Sequence, residues 1–251
     1  MRAVTKLVAV LGALAIGCSS SSSPPATTSS SSSGGSSSGG GSSSGGSSGG
    51  SSGTPIGQAV HGVATYYAAT GAGNCGFDPS PADLDVAAMN ASQYAGSAVC
   101  GECVDVTGPN GKVTVRIVDQ CPDCQNGQLD LSKEAFAKIA PVSAGRVTID
   151  WQVVPCNVSG PVSYLFKDGS SQYWTAIQVR NHRLPIASLE IQTAGAWAPV
   201  NRADYNYFVD DKGAGPGQVH VRITAIDGQK LEDTLPAAAS NLSAPGAAQF
   251  Q

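Results

Sequence analysis

Residues 29–53 are serine and glycine without exception. Such a run offers no apolar surface whose burial would offset the entropy of ordering it. The chain is thereby divided, and any sizeable hydrophobic core must be built from residues C-terminal to the run. With Pro24-Pro25 and Thr27-Thr28 ahead of it, the run predicts a flexible tether with a root-mean-square span of roughly 30 to 40 Å.

Ahead of the tether, Met1-Arg2, Lys6 and the apolar residues 7–16 have the form of a secretory leader, too short to span a membrane. It closes on Leu14-Ala15-Ile16-Gly17-Cys18, which resembles a bacterial lipobox with Cys18 as the lipid-bearing residue. Ala15 stands where that pattern more often has leucine, so ordinary leader cleavage is the alternative. The expectation is a secreted, extracellular protein, with membrane contact only through an N-terminal lipid in the outer-membrane lipoprotein case. Loss of Arg2 and Lys6 with the leader leaves 12 basic against 18 acidic residues, a formal charge of −6. That balance argues against nucleic acid or another anionic polymer as partner.

Beyond the tether stand six cysteines: Cys75, Cys100, Cys103, Cys121, Cys124 and Cys156. Cys100-x2-Cys103 and Cys121-x2-Cys124, 17 residues apart, have the spacing of a four-cysteine zinc ribbon. Export weighs against zinc. An oxidising compartment favours three disulfides, and a zinc site would strand Cys75 and Cys156. No metal and no cofactor is expected.

Strand patterns dominate. In Lys112-Val-Thr-Val-Arg-Ile-Val118, Val113, Val115 and Ile117 face one way, and residues 147–154 alternate similarly up to Pro155-Cys156. One helix is predicted over 132–139, opened by a Ser132 cap, with Phe136 and Ile139 at helical spacing and Pro141 beyond its end. These pieces suggest a small closed barrel. After Cys156 the chain has no cysteine, and short strands over 175–180, 188–193 and 218–224 alternate with turns, fitting a β-sandwich of the immunoglobulin-like type. The predicted segments are 1–18 leader, 19–55 linker, 56–157 barrel and 158–251 sandwich.

Several motifs occur in order: Gly62-Val-Ala-Thr-Tyr-Tyr67, Cys75-Gly-Phe77, Cys100-Gly-Glu-Cys103, Val118-Asp119-Gln120-Cys121-Pro122-Asp123-Cys124 and Leu129-Asp130-Leu131-Ser132. Trp174-Thr-Ala-Ile-Gln-Val-Arg-Asn-His182 and Asp204-Tyr205-Asn206 come after them. Together they resemble a bacterial expansin over essentially all of 58–251. The resemblance implies a mostly β protein: a six-stranded double-psi β-barrel related to that of family-45 endoglucanases, followed by a cellulose-binding β-sandwich, the two sharing one open groove. It also implies loosening of plant cell walls without hydrolysis, by a monomer acting on cellulose and related glucans. Likeness to plant expansins pairs Cys75 with Cys100 and Cys103 with Cys156, leaving Cys121 with Cys124.

Carried over residue by residue, Thr65 matches a groove-floor threonine, Asp119 the aspartate of the threonine-aspartate motif, and Asp130 the aspartate required for loosening. Trp174 and Tyr205 match two of three platform aromatics, Tyr173 stands where the third is often tryptophan, and Lys167 matches a lysine on that surface. Two positions depart from the characterised bacterial type: Cys121 replaces a groove tyrosine and Tyr67 a second threonine. Ordinary roles compete: Asp130 as an aspartate favoured by the helix macrodipole, Asp119 as a turn residue, the aromatics as core, and His182 and Lys167 as solvated edge residues. Trp151 and Trp197 are expected in the core. A platform shared by the adjacent Tyr173 and Trp174 requires a bulge, bend or loop start, because neighbours in a regular strand point to opposite faces.

Inverting hydrolysis needs an acid and a base roughly 6.5 to 9.5 Å apart. Asp130 suits the acid, but 65–69 offer no carboxylate where the related endoglucanases hold their base, leaving Asp78, Asp83, Asp85, Asp105 and Asp123 as candidates. Three function classes compete: a non-hydrolytic wall-loosening protein acting on cellulose and possible companions such as xyloglucan; a polysaccharide-cleaving enzyme, either an endoglucanase or a lytic transglycosylase of peptidoglycan; and a plain carbohydrate-binding module. Asn90, Asn157 and Asn241 head Asn-x-Ser sequences, which carry little meaning behind a bacterial leader.

Overall fold

The computed structural model describes residues 54–251; the leader, Cys18 and all but the end of the linker lie outside them. The first six strands are β1 (Ile56–Tyr67), β2 (Val86–Asn90), β3 (Cys103–Gly108), β4 (Gly111–Cys121), β5 (Leu129–Ser132) and β6 (Val147–Val154). They close in the order β1-β5-β2-β4-β3-β6. Two pairs, β1–β5 and β2–β4, are parallel and are joined by antiparallel β2–β5, the interlocked arrangement of a double-psi β-barrel. Alternation dictates the packing: Val113, Val115 and Ile117 of β4 point inward with Leu129, Leu131 and Ile149. A short helix α1 (Ala91–Tyr94) follows β2, and α2 (Lys133–Ile139) follows β5 without a spacer. The Ser132 hydroxyl accepts from the Ala135 N–H at 2.9 Å, satisfying an otherwise orphaned helix donor. Phe136 and Ile139 are buried in the barrel core, and the helix stops at Ala140 ahead of Pro141.

Eight further strands form one continuous hydrogen-bonded sheet with its own core: β7 (Ser163–Phe166), β8 (Thr175–Arg180), β9 (Ile186–Thr193), β10 (Ala196–Arg202), β11 (Phe208–Asp210), β12 (Gln218–Ala225), β13 (Lys230–Ala237) and β14 (Ser243–Pro245). Their order is β13-β12-β9-β10-β11-β8-β7-β14. Val219, Val221 and Ile223 of β12 are buried against Leu189, Ile191 and Leu235.

All six cysteines among the described residues are oxidised: Cys75–Cys100, Cys103–Cys156 and Cys121–Cys124. No thiolate is left among the described residues for a zinc ribbon. Trp151 is a core residue whose indole N–H donates to Gly127 O at 2.9 Å. Trp197 is not in the core. It lies half-buried on β10 with the Arg222 guanidinium 4.6 Å from its ring, because Glu190 and Glu232 gather that arginine on the outer face. Asn90 is fully buried and caps α1 through Gln93 N–H, so it is no exposed sequon.

Barrel and second sheet meet through a polar joint. Gln178 and Asn206 donate to Cys75 O at 2.8 and 3.2 Å, and Arg180 donates to Gly76 O and pairs with Asp78 at 2.6 Å. From the barrel, Asn74 and Tyr94 donate to Asp204 O, both at 3.0 Å, and the Ser97 hydroxyl donates to Ala203 O at 2.7 Å. His182 is no edge residue. It is 3% exposed, its Nδ1 lies 2.8 Å from Leu184 O, and burial pulls its pKa down to about 4.

Glu102, between Cys100 and Cys103, is likewise buried, and desolvation pushes its carboxyl up to about 8. A raised carboxyl makes the folded state bind more protons than the unfolded one. Glu102 therefore contributes fully below about pH 4.5, and that stability is lost as pH rises towards 8. His182 acts oppositely, costing stability as pH falls from about 6.5 to 4. Of these two, only Glu102 acts above pH 6.5, and its share of the unfolding free energy is expected to fall by about 2 kcal/mol between pH 6.5 and 8. Urea unfolding at the two pH values checks this: Glu102→Gln should flatten the decline, and an equal decline in that variant would contradict it.

Candidate functional site

β1 and β5 run side by side in parallel, with Thr65 opposite Asp130 in register. Their side chains meet: the Thr65 hydroxyl donates to Asp130 Oδ1 at 2.6 Å. Asp130 lies in a strand three residues before the start of α2, and the helix cap is Ser132. The helix-dipole role therefore does not describe it. Half-burial raises its pKa, the Thr65 bond lowers it, and the charge of Asp119 raises it again. Among the described residues, Oδ2 makes no hydrogen bond.

Asp119, near the end of β4, is a staple as well as a neighbouring charge. Its Oδ1 accepts from Asn74 N–H at 2.7 Å and from Gln120 N–H at 2.8 Å. A Cβ on Gly73 would stand 2.4 Å from the Asp119 carboxyl carbon, so only glycine lets the 73–75 loop close over it. Tyr67, which ends β1, buries a hydroxyl with no partner, and burial followed by the charges of Asp119 and Asp130 raises its pKa. It stays a protonated donor facing two carboxylates.

Of the other candidate acids, three are held in ion pairs and two lie exposed. Asp78 pairs with Arg180, Asp85 with Lys138 at 2.6 Å, and Asp105 with Lys112 at 2.6 Å. Asp123 is exposed within the Cys121–Cys124 loop, and Asp83 is exposed ahead of β2. The carboxylate charge that reaches Asp130 is that of Asp119, already engaged by two N–H groups.

Asp119 holds Asn74 N–H, and Asn74 with Gly73 and Gly76 lines a cleft whose other wall is Lys167, Tyr205 and Tyr207 of the second domain; Thr65, Asp119 and Asp130 do not line it. Tyr205 stands out from the turn 203–206, closed by Asn206 N–H to Ala203 O, with Asn206 in the left-handed region at φ 64°. The Lys167 ammonium lies 5.9 Å from the Tyr205 ring and 5.6 Å from the Tyr207 ring, holding both by cation–π contact. Tyr173 and Trp174 are not among the cleft-lining residues. They occupy a tight turn closed by Ser171 N–H to Trp174 O at 2.7 Å, so the loop start that adjacent aromatics require is present. Tyr173 is 74% exposed and Trp174 half-buried. The loop 210–215 braces this turn from below through Gly215 N–H to Gln172 O and Ala214 N–H to Thr175 Oγ1.

Sequence reasoning missed the residues that hold these halves together. Gln178, Arg180 and His182 sit inside the motif that carries Trp174, and Asn206 inside that of Tyr205. Their signal was present, but it reports docking and not binding.

Comparison with known proteins agrees with this geometry. Residues 17–150 match the model of the expansin N-terminal domain. Expansin-YoaJ of Bacillus subtilis is 40% identical over 183 residues, 70% of this chain and 77% of that protein. The apo structure of the Clavibacter michiganensis expansin is 35% identical and superposes with a TM-score of 0.70, covering 77% of this chain and 98% of that one. A variant of the same expansin in complex with cellohexaose gives 34% identity and a TM-score of 0.72, with the same coverage of both chains. A barrel with the expected topology, a second β domain docked on it and these matches lead to one assignment: the chain belongs to the expansin family.

Proposed function

We propose that this protein loosens plant-type cell walls by binding a glucan across the surface that carries Thr65 and Asp130 on the barrel and Tyr205 on the second domain, without cutting it. Members of the family are non-catalytic, and a carbohydrate-interacting role follows from membership in general terms. The observation that carries the finer reading is the lone carboxyl. Asp130 is raised in pKa, and among the described residues it keeps one oxygen without a partner and the carboxylate whose charge reaches it, Asp119, is engaged by two N–H groups. Asp130 is the residue on which loosening depends, with Thr65 and Asp119 shaping its surroundings. Cellulose is the glucan favoured, since a related expansin has been solved with cellohexaose.

The second domain is read as the cellulose-binding half, a sandwich of immunoglobulin type. Support comes from its two halves of four strands, β13-β12-β9-β10 and β11-β8-β7-β14, around one core. Residues 56–157 are read as the barrel domain and 158–251 as this second one. An exported protein with a tether over 19–55 suits the task, and the lipid on Cys18 remains part of the same reading.

Clamped plant walls should extend in the presence of the protein while swollen cellulose and purified peptidoglycan release no soluble fragments. Fragments from peptidoglycan would favour the transglycosylase reading, and binding without extension a plain binding module. Trp174→Ala and Tyr205→Ala are each expected to weaken cellulose binding by about 1 kcal/mol, roughly fivefold in Kd. Melting temperature should change little, since large-to-small changes in a core cost about 3 to 5 kcal/mol. With a neutral ligand, binding should change little between low and high salt.

A further inference from the structure

We propose that Gln128 is a positioning residue that fixes the direction of the Thr65 hydroxyl and, through it, the charge and placement of Asp130. Gln128 is 7% exposed and immediately precedes β5. Its Nε2 donates to Thr65 Oγ1 at 3.2 Å, and Thr65 Oγ1 donates to Asp130 Oδ1 at 2.6 Å. An amide NH2 only donates, so the threonine oxygen must accept from it, and the single hydroxyl proton is left for the aspartate. The amide itself is anchored at its other end. Gln128 Oε1 accepts from Gln125 N–H at 3.3 Å and from Arg146 at 3.5 Å, and Gln128 O accepts from Asn90 Nδ2 at 3.1 Å.

The backbone that carries Gln128 is held equally firmly. Gly127 N–H donates to Gln93 Oε1 at 2.7 Å and Gly127 O accepts from the buried Trp151 indole. A Cβ on Gly62 would lie 1.9 Å from Gly127 O, so the glycine of β1 lets the 121–128 loop lie directly against the strand that bears Thr65. Cys121–Cys124 closes the other end of that loop. Directionality matters because a hydrogen bond to the ionised carboxylate lowers its pKa, opposing burial and the charge of Asp119. Without Gln128 the hydroxyl is free to turn away, and Asp130 loses both the bond and a fixed rotamer.

This rests on the reading of Asp130 as the loosening carboxyl. Gln128→Met removes the donor at nearly constant shape, Gln128→Glu replaces it with an acceptor that draws the threonine proton away, and Thr65→Val deletes the hydroxyl. The other ionisable groups facing Asp130 and its partners, Tyr67, Asp119 and Arg146, stay in place in all three. Carboxyl NMR titration of Asp130 should show its midpoint moving upward in each variant, with no further movement when Gln128→Met is added to Thr65→Val. The pH at half-maximal wall extension should move upward in parallel, and the maximal rate should fall about fivefold, the scale of one hydrogen bond. An unmoved midpoint and pH profile in Gln128→Met, with Asp130→Asn inactive, would overturn the role of Gln128 and leave the reading of Asp130 standing. Full extension by Asp130→Asn would instead overturn that reading, while an NMR midpoint still displaced by Gln128→Met would show the relay to be real.

Discussion

Asp130→Asn is expected to abolish extension of a clamped wall, leave cellulose binding within about twofold, and release no sugar in either form. The substitution preserves shape and removes both the charge and the capacity to hold a proton, so a role in acid–base or strong hydrogen-bond chemistry is lost outright. Fold should survive it. Asp130 is half-buried with one hydrogen bond to a side chain, and an amide keeps an acceptor for Thr65. Binding should survive because the aromatic surface lies on another domain. Soluble oligosaccharides appearing at a rate that Asp130→Asn eliminates would refute the non-hydrolytic mechanism, and Asp119 would then be the first base to examine.

The second large effect is covalent. Cys103 opens β3 and Cys156 follows β6, 53 residues apart, on two strands that pair through Cys103 and Val154. Cutting that link with Cys103→Ser/Cys156→Ser frees a long loop in the unfolded chain and is expected to cost about 4 kcal/mol. Melting temperature should drop on the order of 10 °C. The same double change at Cys121 and Cys124, only 3 residues apart, opens a far shorter loop and should cost much less. Calorimetry on the two variants gives the ranking, and an equal loss in both would mean that strain or local packing, not chain entropy, governs these bonds.

How much of this was legible depends on the range of each interaction. β4, α2, β6 and β12 were readable because alternation and a serine cap are local signals, and their bounds differ by a few residues at most. Thr65 and Asp130 were each named from family likeness, but their contact depends on parallel pairing of strands 65 residues apart, which no local pattern encodes. Trp197 and His182 were misplaced for the same reason in opposite directions. A tryptophan defaults to the core until a gathered arginine offers its face a partner outside, and a histidine after a strand defaults to solvent until a second domain covers it. Gln128 sat in plain view beside Asp130, yet nothing in the sequence tells a buried donor from a loop residue.

The joint between the domains has a consequence for how such proteins diversify. Apart from Arg180–Asp78, the bonds that Gln178, Arg180, Asn206, Asn74, Tyr94 and Ser97 make across it run from a side chain on one domain to a backbone carbonyl on the other: Cys75 O, Gly76 O, Ala203 O and Asp204 O. A carbonyl cannot be mutated away. Each bond is therefore specified by one residue and not by a matched pair, and substitutions at the accepting positions need no compensating change across the joint. Covariation between the two halves should be nearly silent there despite their intimate contact. A chimera joining this barrel to another expansin's second domain should dock if it keeps the donors at 178 and 206 and the paths of the two loops.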